Sequence, residues 1–126
     1  MKRASRSGFT LVEVLTVIAI IALLAALILG LAGNAQKTAA RKKALSEITQ
    51  LESFITDYQM KYGQVPTNSV KLKEALVAAN HSLTNLTDPW GMQYEYQRSS
   101  AATFYLWSKG GSTNNDSSMY IGNATN

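Results

Sequence analysis

The chain has 126 residues, room for one domain, and a formal net charge of +4. It contains no cysteine, which excludes disulfides, thiol chemistry and cysteine-based metal sites. Lys2, Arg3 and Arg6 all precede Phe9, and without them nine basic side chains face eight acidic ones, so the net charge is poor support for nucleic-acid binding.

From Val14 to Gln36, 23 consecutive residues carry no charge. As a helix this run spans ~35 Å at ~1.5 Å per residue, enough to cross a hydrocarbon layer of ~30 Å. The basic leader is like the start of a signal peptide, but the apolar run exceeds the ~7–15 residues of a signal core. Gly33-Asn34-Ala35 is a weak small-residue cleavage pattern, so one alternative reading is a binding module secreted after Ala35 or held on an ordinary signal anchor. Basic residues flank the run on both sides (Lys37, Arg41, Lys42 and Lys43 follow it), so positive charge alone does not orient it.

Glu13 is the only ionisable side chain between Arg6 and Lys37. An acid at the mouth of a membrane-grade segment is costly without a partner, and no cation lies in its own helical neighbourhood. One reading is an acid at a membrane interface, solvated by headgroups; the sharper reading is that its partner is a new N-terminal amine created by cleavage before Phe9. A charge pair in a low-dielectric bundle is favourable only when both members are present.

Helical periodicity continues beyond the apolar run. Leu45, Ile48, Leu51, Ile55, Tyr58 and Tyr62 recur at helical spacing and predict one buried face, with Ser46, Glu47, Thr49, Gln50, Glu52, Thr56, Asp57 and Lys61 facing solvent. No proline interrupts Thr10 to Tyr62, which predicts a single helix of 53 residues, ~80 Å long at ~1.5 Å per residue. Gly63 is the predicted stop, with Pro66 beyond it.

A loop with capping residues, Val65 to Ser69, leads to a predicted short helix over Val70 to Asn80. Asp88-Pro89-Trp90-Gly91 has turn chemistry. Gln93 to Gln97 and Ala102 to Ser108 are predicted strands; in the second, Phe104 and Leu106 alternate with Thr103, Tyr105 and Trp107. Lys109-Gly110-Gly111-Ser112 turns the chain, and Met119-Tyr120-Ile121 is a candidate last strand. About 64 residues follow the long helix, a size at which a single core is marginal unless it packs on something else.

Other candidates carry less. His81 is the only histidine and reads as an exposed loop residue, so no histidine metal cluster or Ser–His–Asp set is supported. Arg41-Lys42-Lys43 reads as a solvated helix face. Trp90 and Trp107 read as packing residues. No catalytic residue emerges, and the chain is not expected to be an enzyme.

Gly8-Phe9-Thr10-Leu11-Val12-Glu13, between a basic leader and an apolar helix, resembles the processing and assembly signal of the type IV pilin superfamily. Within it, Tyr62-Gly63-Gln64-Val65-Pro66-Thr67, Asp88-Pro89-Trp90-Gly91, Tyr94-Glu95-Tyr96 and Tyr105-Leu106-Trp107-Ser108 are similar to the major pseudopilins of type II secretion, the protein G family. The resemblance implies a pilin-like α+β fold, with a long N-terminal helix and a small antiparallel sheet packed on its C-terminal half. It divides the chain into a leader at residues 1–8, a transmembrane and assembly half-helix at 9–36, and a soluble domain at 37–126.

The resemblance further implies cleavage between Gly8 and Phe9 by a prepilin peptidase, and N-methylation of Phe9. Glu13 would then meet the Phe9 amine of a neighbouring subunit in a homo-oligomeric filament. The implied partners are the inner-membrane assembly platform and minor pseudopilins, and the implied location is the inner membrane, single-pass, with the C-terminal domain in the periplasm or outside the cell. The filament would help to export folded proteins; a type IV pilin for adhesion, motility or DNA uptake is the close alternative. Three departures stand out, one of them that Lys73 and Glu74 on the short helix match no functional position of the family. Gly30 occupies a position where the family often has proline. The family usually binds calcium through acidic residues of the C-terminal loop, whereas Ser108-Lys109-Gly110-Gly111-Ser112 leaves Asp116 as the only acid there. Calcium takes about six to eight oxygen ligands, so Asp116 with Ser, Asn and carbonyl oxygens would make a weak site at most, and no cofactor is expected to be required.

Overall fold

The computed structural model describes residues 8–123; the predicted basic leader before Gly8 lies outside the described residues. The chain falls into two compact units, one ending at Lys37 and the other beginning at Thr38.

Helix α1 runs Leu11–Tyr62, 52 residues, and contributes to both units. It ends where Gly63 enters the left-handed region at φ 76°, its N–H bonding the Gln59 carbonyl at 2.7 Å. Only glycine takes that conformation without a Cβ penalty. Helix α2 runs Ser69–Ala78. It starts one residue before the predicted boundary because Asn68 is the N-cap, accepting the Lys71 N–H at 2.9 Å. It stops short of Asn80, which is itself left-handed at φ 51°.

Three antiparallel strands follow in the order β1-β2-β3: Glu95–Arg98, Phe104–Ser108 and Ile121–Gly122. Tyr96 faces Leu106 across the first pair and Ser108 faces Ile121 across the second. The strands are shorter than periodicity predicts, for local reasons. The Ser100 hydroxyl accepts the N–H groups of Ala102 and Thr103, holding both in the hairpin turn. Gln93 makes only an isolated bridge to Thr87. Met119 belongs to a 3-10 turn, Ser117–Met119, whose N-cap is Asp116.

The core of the second unit is built from α1, α2, β2, β3 and the connections between elements. Ala44, Ile48, Leu51 and Ile55 of α1 meet Leu72 and Leu76 of α2, Leu106 and Ile121 of the sheet, and Val65, Leu86 and Tyr94 from the connections. Fully burying each large aliphatic side chain contributes about 1.5–3 kcal/mol. This is the pilin-like α+β arrangement that the resemblance implies, with the sheet packed on the C-terminal half of the long helix.

The buried stripe of α1 differs from the predicted one. Leu45 is 52% exposed and Tyr62 is exposed, whereas Ala44 is fully buried and Glu47, assigned to solvent by the periodicity, is only 9% exposed. The contact line runs 44, 48, 51, 55, because the small Ala44 side chain lets the rest of the unit approach closely. Glu47 tolerates burial because the Tyr94 hydroxyl donates to its carboxylate at 2.6 Å, with the Lys43 ammonium 3.9 Å from its other oxygen.

Asp88 is the second buried acid, 4% exposed. Its Oδ1 accepts the N–H groups of Trp90 (3.1 Å) and Met92 (2.8 Å), and its Oδ2 accepts the Ser108 hydroxyl at 2.7 Å. The Gly91 N–H returns to the Asp88 carbonyl at 3.0 Å, closing the turn that the Asp-Pro-Trp-Gly chemistry predicts. One carboxylate thus fixes the turn and pins it to the end of β2. His81 is half-buried and not an exposed loop residue. Its Nδ1 accepts the Leu83 N–H at 3.1 Å, and its ring lies edge-on to Phe54 at 5.4 Å, so it packs locally.

Candidate processing and assembly site

The predicted site residues Gly8, Phe9 and Glu13 stand together at the start of α1. A Cβ at Gly8 would meet no other atom and Phe9 is 89% exposed, so among the described residues nothing encloses the peptide between them. An exposed, non-helical segment is what a protease needs to draw a chain into its active site, since helical backbone must first unwind.

Glu13 has a partner that the charge-pairing argument overlooked. The Thr10 hydroxyl accepts the Glu13 N–H at 3.2 Å, and Glu13 Oε2 accepts the Thr10 N–H at 3.2 Å. These reciprocal bonds form a capping box, which satisfies two of the amide groups that a helix start leaves unpaired. The signal was in the sequence as Thr-x-x-Glu before an apolar run. The carboxylate also lies at the positive end of the helix dipole. The box is exposed and both its hydrogen bonds are long, so it holds the carboxylate loosely. Phe9, Glu13, Val14, Val17 and Ile18 line one shallow groove, apolar apart from this acid.

Behind the cap, every side chain from Gly8 to Ala39 is exposed. Val14, Leu15, Val17, Ile18, Ile20, Ile21, Leu23, Leu24, Leu27, Ile28, Leu29 and Leu31 are among them, a continuous apolar surface far larger than a water-soluble monomer tolerates. By length and composition this helix is able to cross a membrane. A Cβ at Gly30 or Gly33 would meet nothing beyond the helix itself, so neither is needed for packing within the described residues.

Asp116 lies far along the chain, at the N-cap of the 3-10 turn. Its Oδ1 accepts both the N–H (3.0 Å) and the hydroxyl (2.7 Å) of Ser118, which hold its carboxyl below the usual carboxylate range. Among the described residues no three His, Cys, Asp or Glu side chains cluster as metal ligands. Arg41 of the basic run donates to the Met119 carbonyl at 3.3 Å, and Lys43 reaches Glu47, so two of its three cations serve the fold.

Comparison with known proteins agrees with this geometry. Residues 3–29 match the prokaryotic N-terminal methylation motif, and residues 32–123 match type II secretion system protein G. The type II secretion system core protein G of Klebsiella michiganensis is 32% identical, the aligned part covering 75% of each chain. The protein of that name from Escherichia coli K12 is 35% identical over 69% of this chain and 68% of its own. That of Vibrio cholerae is 34% identical over 75% of this chain and 73% of its own. No solved structure matches the chain. The match to protein G covers most of the chain and the methylation motif covers the cap, the groove and most of the apolar helix; the chain belongs to the type II secretion system protein G family.

Proposed function

We propose that this chain, a structural subunit of the type II secretion pseudopilus, is cut between Gly8 and Phe9 by a prepilin peptidase and assembled through the freed Phe9 end. The observation that carries the reading is the unbroken exposure of the apolar helix behind a single acid. Such a surface needs lipid before assembly and other helices after it. Cleavage turns the Phe9 nitrogen into an amine, which N-methylation leaves able to carry a positive charge. An incoming subunit's Glu13 then exchanges a neutral capping contact for a charged partner on the next subunit. In a low-dielectric bundle that exchange is favourable only in the register where acid and amine meet.

The remaining assignments follow from the same reading. The helix is held in the inner membrane, with the second unit in the periplasm, where the filament supports export of folded proteins. Its partners are other copies of itself, the assembly platform and minor pseudopilins. It has no catalytic activity of its own.

Mass spectrometry of the mature N-terminus tests the central step. A chain beginning with methylated Phe9 supports the reading, and one beginning at Met1 or at Gln36 overturns it. For the pairing, Glu13→Leu is expected to leave cleavage intact and abolish filaments; normal filaments from that variant would show that the acid does not set the register.

A further inference from the structure

The loop after β2 is where the family resemblance implies calcium, and its donors do not suit a divalent ion. The ion takes about six to eight oxygens, and three side-chain oxygens around the loop already serve protein partners. Asp116 Oδ1 receives two bonds from Ser118. The Ser112 hydroxyl accepts the Asp116 N–H at 2.9 Å, and the Ser108 hydroxyl is held between Asp88 and the Gly110 N–H. A cation is nonetheless present. The Lys109 ammonium reaches across the loop to Asn115 Oδ1 at 3.2 Å and lies 3.9 Å from Glu95 Oε1 on β1. A second cation, the Arg41 guanidinium, donates to the Met119 carbonyl at the far end of the same segment.

We propose that the 109–119 loop is closed by the chain's own cations, with Lys109 doing the bridging that a calcium ion does in relatives with an acidic loop. The chemistry is the same in kind, a positive charge gathering an amide oxygen and a carboxylate from opposite sides of a turn. The differences are that an ammonium is tethered and singly charged, offers three donors and cannot be removed by a chelator. Its charge also opposes entry of a divalent ion at the oxygens it holds. The backbone fits a closure built into the chain. Gly110, at φ 63°, lets the loop pass directly against the Met119 carbonyl, a place where a Cβ would collide. The fold of this loop therefore does not depend on calcium supply.

The test uses the full chain in detergent micelles, followed by the fluorescence of Trp90 and Trp107 and by hydrogen exchange over residues 108–120. Excess EGTA and millimolar calcium chloride are expected to give the same Tm within about 1 °C, a shift that in a unit of this size corresponds to negligible binding. Lys109→Met is expected to lower Tm by about 2–5 °C and to accelerate exchange in the loop several-fold. Lys109→Arg should restore most of the protection, and Lys71→Met on the exposed face of α2 should leave the loop unchanged. A saturable rise in Tm with calcium in the unmodified chain, or loop exchange in Lys109→Met equal to that of the unmodified chain, would overturn the proposal.

Discussion

Along α1, every side chain from Gly8 to Ala39 is exposed, whereas Ala44, Ile48, Leu51 and Ile55 are buried beneath α2 and the sheet. The first stretch is the more apolar of the two, so hydrophobicity does not decide which is covered by the chain itself. The second alternates apolar with polar positions and thereby defines one face, which a single small layer can cover. The first is apolar all round, and only lipid or several other helices can cover it. The acids show the same division. Glu47 has found a buried donor within its own unit, while Glu13 has only the loose, exposed bonds of a helix cap.

The contrast breaks first, if at all, in the core. Leu51→Ala is expected to destabilise the second unit by about 2–5 kcal/mol, the usual result of removing a fully buried leucine. Leu24→Ala, in the exposed stretch, should leave that unit's unfolding midpoint unchanged and act on membrane retention or assembly. Denaturant titration read by tryptophan fluorescence separates the two. Equal effects would mean that the stretches are coupled and that the division is wrong.

Asp88 comes next. Replacing it with Ala strands two backbone N–H groups and the Ser108 hydroxyl in a buried site, each costing about 1–3 kcal/mol, part of it recovered by water entry. A loss of about 2–4 kcal/mol is expected, with Asp88→Asn milder because one acceptor remains. A neutral Asp88→Ala would show that the turn is held by Pro89 and Gly91 alone.

How much of this could be read from the residues varies by kind of signal. Long-period signals were legible. The apolar run, the end of α1 at Gly63, the Asp-Pro-Trp-Gly turn and the alternation of β2 all stand where the pattern puts them. What periodicity misplaced is the rotation of the buried stripe on α1, because a helical wheel counts Ala44 as neutral and Glu47 as polar. Only the position of Tyr94, 47 residues later, makes that acid a core residue. The capping box at Thr10 was local and readable, yet it yields to the expectation that an acid in a membrane segment must pair with a cation. The Lys109 bridge depends on how a loop folds back, which no short-range pattern encodes.

Tyr94 allows the Glu47 contact to be tested by pH. Burial, then the bond to Glu47, pushes its hydroxyl well above its ordinary value of 10.0, and burial pushes Tyr96 up to about 12. A phenol whose pKa is raised on folding gives stability that is complete below the unfolded value and lost as pH rises through the folded one. Stability should therefore fall from about pH 10 upward, as the unfolded chain releases protons that the folded one keeps. Tyr94→Phe is expected to cost about 1–3 kcal/mol at neutral pH, since it leaves the Glu47 carboxylate buried without its donor, and to flatten the alkaline slope. Urea titrations at neutral and alkaline pH measure both; an unchanged slope would mean that the phenol is solvated in the folded state.

The smallest expected effect lies at the other end of the helix. Thr10→Val removes the hydroxyl that accepts the Glu13 N–H, and loss of such a cap typically costs about 1 kcal/mol of local helix stability. Because the box is exposed and its bonds are long, the effect should stay within the first turn. Amide exchange at Glu13, measured by NMR in micelles, is expected to accelerate about fivefold, while the unfolding midpoint of the second unit stays fixed. The carboxylate loses part of its tether and becomes freer to meet an amine on another chain, so Thr10→Val should not mimic Glu13→Leu in filament formation. Loss of filaments in both variants would instead mean that the capped geometry itself is what a neighbouring subunit recognises, and that the two ends of α1 are less different than their surroundings suggest.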